Sequence, residues 1–218
     1  MRKYLLHVLI ISFVFIAIPI TSATGGSITL RSYYRNLSVS EVHSMPNVSM
    51  RVRDEYGFSG HSIINHNYNF KTIGGDKVVV DKATGLMWHQ NGSDSSMRYK
   101  TVKKWIRKLN KRGYAGYQDW RLPTVEEAAS LLESRKKNTA VDEIRASMYI
   151  DSFFGDESFI WTGDEFDDGS GDAWGVDFRD GSVGTTTGGA TVKGGICLHF
   201  LHKMDGKCFF VRPVRSVE

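Results

Sequence analysis

From Lys77 onward the apolar positions fall into short regular runs, whereas residues 24–75 show almost no sustained periodicity. Val78-Val79-Val80 has the β-branched make-up of a strand, and Lys82-Ala83-Thr84-Gly85 turns the chain into a second apolar run, Leu86-Met87-Trp88. The period then changes. Val102, Ile106 and Leu109 recur at i, i+4 and i+7 with Trp105 alongside, which predicts a helix over 99–112 closed by Gly113 and Gly116. Thr124-Val125-Glu126-Glu127 has the spacing of a capping box directly after Pro123. Ala128, Leu131 and Leu132 give this second helix an apolar face up to about Arg135. Beyond it FIWTG, AWGVDF, SVGTTT, GICLHFLH and FFVRPVRS read as strands, with Asp180-Gly181 as a two-residue hairpin signal. Two helices on mostly antiparallel strands define an α+β domain.

Upstream, Ser38 or Ser40 caps a turn through Val42 that Pro46 ends, and HSIINHNYNF with Gly74-Gly75 reads as loop. The first 23 residues differ in kind. Arg2 and Lys3 lead an apolar stretch from Leu5 to Ile18, and Thr21 and Ala23 stand at the −3 and −1 positions of a cleavage site. This is the layout of a secretory signal peptide; the alternative is an uncleaved anchor stretched to Ile20. No later segment reaches the roughly 18 apolar residues of a membrane span. The expected organisation is therefore a signal peptide at 1–23, a partly irregular N-terminal extension at 24–72 and one domain at 73–217. The mature chain is expected in the periplasm, on the outer surface or secreted.

Removing Arg2 and Lys3 with the leader lowers the formal net charge from +4 to +2. So small an excess points to no polyanionic partner by itself, and the clustering of charge has to decide. Arg98, Lys100, Lys103, Lys104, Arg107, Lys108, Lys111 and Arg112 lie in one helical segment without an acidic residue among them. On a 3.6-residue wheel 100, 103, 104, 107, 108 and 111 fall opposite Val102, Ile106 and Leu109. Like charges four apart disfavour an isolated helix by a few tenths of a kcal/mol per pair, on the order of 0.2–0.5. A polysulfated glycan, an envelope phosphate or a nucleic acid would satisfy the stripe through counterion release, and export argues against nucleic acid. A plain solvated face is the competing reading.

Asp164, Glu165, Asp167, Asp168 and Asp172 crowd one Gly-interleaved segment. Oxygen-rich segments of this kind ligate Ca²⁺, which makes Asp164, Asp167, Asp168 and Asp172 calcium candidates beside the reading of a solvated loop. The spacing departs from an EF-hand, since Phe166 stands at the third loop position and no Glu closes the loop. No other cofactor is expected. The chain has two cysteines, Cys197 and Cys208, which in an exported protein read as a disulfide rather than a zinc site. Histidines 61, 66, 89, 199 and 202 are scattered, and no Ser-His-Asp order, P-loop or glycine-rich nucleotide loop stands out.

Five segments together resemble the Lcl C-terminal domain family of exported bacterial domains: VVDKATGLMW, LNKRGYAGYQDWRLPT, IWT, AWGVDF and VRPVRS, over roughly 73–217. Its signature positions here are Trp88, Asp119, Trp120, Arg121, Pro123, Trp161 and Trp174. We read DWRLPT as a structural corner, with Trp120 and Leu122 as core anchors and Arg121 paired with Asp119 or a neighbouring carboxylate. The alternative places Arg121 against a ligand. The resemblance implies a fold related to C-type lectins and to sulfatase-modifying enzymes, in which the terminal strands pair and long loops present a surface. The namesake domain is an adhesin module that binds sulfated glycosaminoglycans as a trimer. Oxidase chemistry of the sulfatase-modifying kind needs a reactive cysteine site, and no matching motif surrounds Cys197 or Cys208. The expectation is an exported non-catalytic adhesion module that recognises an anionic polysaccharide or envelope polyanion through its basic helix, with Tyr99 and Trp105 as stacking neighbours and homo-oligomerisation in view. A structural module that binds a partner protein is the alternative, and a metal-dependent enzyme a further one.

Overall fold

The computed structural model describes residues 27–54, 57–137, 147–155, 157–185 and 208–217. The extension supplies β1 (Asn36–Leu37), α1 (Val39–His43), β2 (Val48–Asp54), β3 (Gly57–Ser62) and β4 (Tyr68–Ile73). There follow β5 (Asp76–Asp81), β6 (Leu86–His89), α2 (Tyr99–Arg112), a 3₁₀ turn at Tyr114–Gly116 and α3 (Val125–Ser130). Strands β7 (Phe159–Phe166), β8 (Ala173–Asp177), β9 (Ser182–Thr185) and β10 (Val214–Ser216) complete the α+β fold. One sheet runs β1-β7-β8-β9-β3-β2 and the other β10-β6-β5-β4. All pairings are antiparallel except β1 on β7.

Several expected elements form where the local signals put them. Ser38 caps α1 reciprocally: its side chain accepts from the Glu41 N–H, and Glu41 reaches back to the Ser38 N–H at 2.9 Å. Helix α2 spans 99–112 and ends on Gly113 in the left-handed region (φ 71°). Thr124 and Glu127 form the capping box of α3.

Other expectations fail for identifiable reasons. HSIINHNYNF is not loop: its ends lie in β3 and β4, and Gly74-Gly75 is the two-residue turn joining β4 to β5. Both glycines have positive φ (58° and 90°), as the tight turn of a twisted hairpin requires. Strand β4 escapes a periodicity search because it is an edge strand, partly to fully exposed along its length. Its stability comes from backbone pairing with β5 rather than from a buried face. The Asp180-Gly181 hairpin is longer than expected, since Asp177 pairs with Ser182 and residues 178–181 all belong to the turn. Helix α3 stops at Ser130 instead of about Arg135 and is buried on every side, against β3, β7 and β8. GICLHFLH, and Cys197 within it, lies outside the described residues.

The main core joins extension and domain in one cluster. Leu30, Leu37 and Val42 pack with Trp88, Trp174, Phe178 and the alanines of α3. The Trp174 indole N–H donates to the Leu37 carbonyl at 3.1 Å.

The attachment rests above all on Asp164, which is fully buried in β7. Its two oxygens accept from both terminal nitrogens of Arg31 at 2.8 Å each, from the Arg35 backbone N–H at 2.8 Å and from the Val125 N–H at 2.7 Å. The last bond also places a carboxylate at the N-terminus of α3, where the helix dipole favours it. Removing one partner of such a pair leaves a charge uncompensated in the interior. Arg31→Met is expected to destabilise the fold by about 3–5 kcal/mol. Arg31→Met with Asp164→Leu should recover part of the loss, both read from urea midpoints. A single-variant loss under about 1 kcal/mol would place the attachment elsewhere.

Candidate binding face along helix α2

Helix α2 spans two core clusters. Val102 packs with Leu122, Phe159, Trp161, Phe209 and Val211, while Leu109 packs with Val78, Val80, Met87, Tyr114 and Trp120. Asn110 fastens the helix to the DWRLPT corner, donating to the Trp120 carbonyl and accepting the Trp120 N–H, both at 2.9 Å. The opposite face carries Lys100, Lys103, Lys104, Arg107, Lys108 and Lys111, all exposed, with Arg98 half-buried at the N-cap. Among the described residues none of these seven pairs with a carboxylate. Arg112 does, meeting Asp76 at 3.0 Å.

The helix does little to support itself. Arg98 offers no side-chain cap and the first turn has no acidic residue. Arg98 and Lys100 add positive charge where the dipole is already positive, and only Lys111 and Arg112 sit at the favourable end. Packing therefore holds α2, and its cations weaken it. Arg98→Asp, which adds a cap and reverses that charge, is expected to stabilise the protein by about 1 kcal/mol, or roughly 2–4 °C in Tm. Calorimetry showing no rise would mean that the first turn is not limiting.

A cleft flanks the helix on each side. One, of about 490 Å³, lies between α2, the Tyr34–Asn36 segment and the DWRLPT corner. Tyr34 is fixed at both ends: its hydroxyl donates to the Leu122 carbonyl at 3.0 Å, and its ring lies so close over Gly163 that any side chain there would overlap it. Burial raises the pKa of the Tyr34 hydroxyl and pushes that of Tyr99 up to about 12, so both remain proton donors.

The second cleft, of about 470 Å³, is lined by His89, Asp94, Trp105, Lys108 and Tyr114 among others. His89 stacks on Tyr114 with ring centroids 4.0 Å apart, and its Nδ1 accepts the Gly92 N–H at 2.9 Å. Burial first, then the charges of Arg212 and Arg112, push its pKa down to about 3. The native state thus keeps this imidazole neutral while the unfolded chain protonates it below about pH 6.5. Its contribution is complete above that pH and is lost as pH falls towards the folded value, at up to about 1.4 kcal/mol per unit. Urea unfolding between pH 7 and 4 should show this slope in the wild type and its loss in His89→Gln. Parallel profiles would assign the acid sensitivity to other groups.

The signature residues meet partners within the fold. Arg121 forms a two-pronged pair with the buried Glu127 at 2.6 and 2.7 Å rather than with Asp119, which instead binds Arg215 at 2.8 Å. Trp88, Trp120, Trp161 and Trp174 are all buried. The indole N–H groups of Trp120 and Trp161 reach the carbonyls of Tyr114 and Met97 at 2.9 and 2.7 Å. Pro123 is buried and accepts the Gly163 N–H through its carbonyl at 2.8 Å.

Asp164 is a correction to the calcium candidates. It belongs to β7, not to a loop, and its oxygens are taken by Arg31 and two backbone N–H groups. Asp167 and Asp168 are exposed in the following turn, where Asp168 accepts the Ser170 N–H at 2.9 Å. Asp172 ends that turn, and its backbone N–H donates to the Ser170 hydroxyl at 3.2 Å. Cys208 is buried, while its expected partner lies outside the described residues.

Tertiary contact also brings Ser62, His66 and Asp81 together. His66 Nδ1 meets Asp81 Oδ2 at 2.7 Å and Nε2 stands 3.2 Å from the Ser62 hydroxyl, an arrangement similar to a hydrolase triad. The chemistry differs. Nε2 is closer still, 2.7 Å, to the Ser130 carbonyl oxygen, an atom that only accepts. Nε2 must carry its proton there and has no lone pair to take one from Ser62. Ser62 in turn accepts the Ile64 N–H at 3.1 Å. Asp81 also receives the Asn67 and Ala83 N–H groups and the Thr84 hydroxyl. This is a clasp joining the loop before β4, the end of β5 and the end of α3.

These observations define an α+β domain whose tryptophan-anchored corner holds a helix with an exposed cationic face between two clefts. The model of the Lcl C-terminal domain matches residues 77–194, more than half of the chain, and the protein belongs to that family. No curated protein and no solved structure shows significant similarity to the chain.

Proposed function

We propose that this protein is an exported, non-catalytic binding module that holds an anionic polysaccharide or envelope polyanion against the exposed face of α2. One observation carries the reading: six exposed cations line one helical face, and none meets a carboxylate among the described residues. Their mutual repulsion is relieved when a polyanion replaces the small counterions, whose release drives association. Helix α2 is anchored in two core clusters, so the charges stand on a rigid support rather than a loop. Tyr99 and Trp105, each half-buried beside the stripe, provide ring faces next to the charges.

The export part of the reading is supported by the layout of residues 1–23 and by the family. Among the described residues no helix is long and apolar enough to cross a membrane. The β10–β6 pairing, which brings the C-terminal strand beside an early strand of the domain, fits a C-type-lectin-like arrangement. In an oxidising compartment Cys208 would bridge to Cys197, closing a short loop worth roughly 2–3 kcal/mol. Self-association is favoured by the edges of β2 and β4, unpaired among the described residues, where Val52 and Phe70 are exposed.

Replacing Lys103, Lys104, Arg107 and Lys108 together with Gln should lower the salt concentration needed to elute the protein from heparin. It should also make the dependence of affinity on salt shallower. Circular dichroism would verify that the variant is folded. Unchanged retention, or binding insensitive to salt, would reject the proposal.

A further inference from the structure

The cleft between α2 and the Tyr34–Asn36 segment has features that a purely electrostatic surface does not need. Its volume, about 490 Å³, is that of a small-molecule site. Val102, Ile106 and Leu122 make one part of its lining apolar, and Tyr34 and Tyr99 add aromatic rings. Tyr34 is 46% exposed, yet its ring is pinned by its hydroxyl bond and by Gly163 beneath it. A ring ordered before binding loses little entropy on binding.

The charges around this cleft are uneven. Of the four cations in the lining, Arg35 is paired with Glu41 and Arg121 with Glu127. Lys103 and Arg107, one helical turn apart, have no such partner among the described residues, and Glu165 is the single carboxylate in the lining. Two available cations at the edge of an aromatic and aliphatic wall match a ligand that is apolar on one side and negative on the other. Flat ring faces favour a ring over an acyl chain.

We propose that this cleft is a binding site for a compact, ring-bearing organic anion, with its ring against Tyr34, Tyr99 and Ile106 and its carboxylate or sulfonate on Lys103 and Arg107. This goes beyond polyanion binding along the crest of α2. The remaining crest cations, Lys100, Lys104, Lys108 and Lys111, take no part in it.

The test uses 1-anilinonaphthalene-8-sulfonate and its uncharged counterpart N-phenyl-1-naphthylamine as fluorescent probes of the full mature chain. The sulfonate should bind saturably at one site per chain. Lys103→Gln with Arg107→Gln should weaken it at least tenfold while changing the uncharged probe less than twofold. Ile106→Gln should weaken both probes. Replacing Lys100, Lys104, Lys108 and Lys111 with Gln should leave the sulfonate within twofold while reducing heparin retention, which separates this site from the crest. Thermal unfolding with an unchanged cooperative transition verifies each fold. Non-saturable emission, or equal sulfonate affinity after loss of Lys103 and Arg107, overturns the proposal. So does displacement of the sulfonate by laurate at lower concentration than by 2-naphthoate, since an acyl chain would then be the better fit.

Discussion

A carboxyl group with no access to solvent needs donors from its own chain to replace the lost water, and Asp164 is such a group. Four N–H donors converge on it, from Arg31, Arg35 and Val125. They come from the N-terminal extension and from the first residue of α3, so the charge can be buried only if these segments meet on β7. The same meeting is reinforced by the Thr124 hydroxyl on the Arg31 carbonyl (3.0 Å) and by Tyr34 on Leu122 (3.0 Å). The extension is thus part of the folded unit. The family match at 77–194 covers β5 to β9, while β1, β2, β3, β4 and β10, which complete the two sheets, lie outside it.

That attachment also shapes the region beside α2. Tyr34 and Asn36 belong to the segment that Asp164 draws in, and they form one wall of the larger cleft. The other wall is a helix whose own sequence opposes it, with repelling charges, no side-chain cap and an unfavourable dipole at its start. Val102 and Leu109, buried in separate clusters, offset these penalties. Two cores support the helix so that its outer face can keep charges that stability alone would not select.

Asp164 and the Ser62–His66–Asp81 cluster both resemble reactive sites, and their hydrogen-bond partners tie them into the fold. Asp164 has the residue type of a cation ligand, but its lone pairs are already engaged. Ser62, His66 and Asp81 have the spacing of a proton relay, but the Ser130 carbonyl claims the nitrogen that would act as base. In each case composition and distance resemble a functional site, while the remaining partners occupy the atoms such a site would use.

Features that depend on near neighbours were legible in the residues alone. The extent of α2 followed from its 3.6-residue repeat, the start of α3 from the Thr124–Glu127 capping box, and the β5–β6 turn from Lys82 to Gly85. The unbroken cationic face was equally legible, because one helix carries all of it. Which distant groups meet emerged only on folding: Arg31 with Asp164, Arg121 with Glu127 rather than Asp119, and Tyr34 with Gly163. Folding also made strands of β3, which buries one large apolar side chain, Phe58, and of β4, an exposed edge. An edge strand is held by hydrogen bonds to its neighbour, and a buried carboxylate by donors from anywhere in the chain. Neither leaves a periodic mark on its own segment.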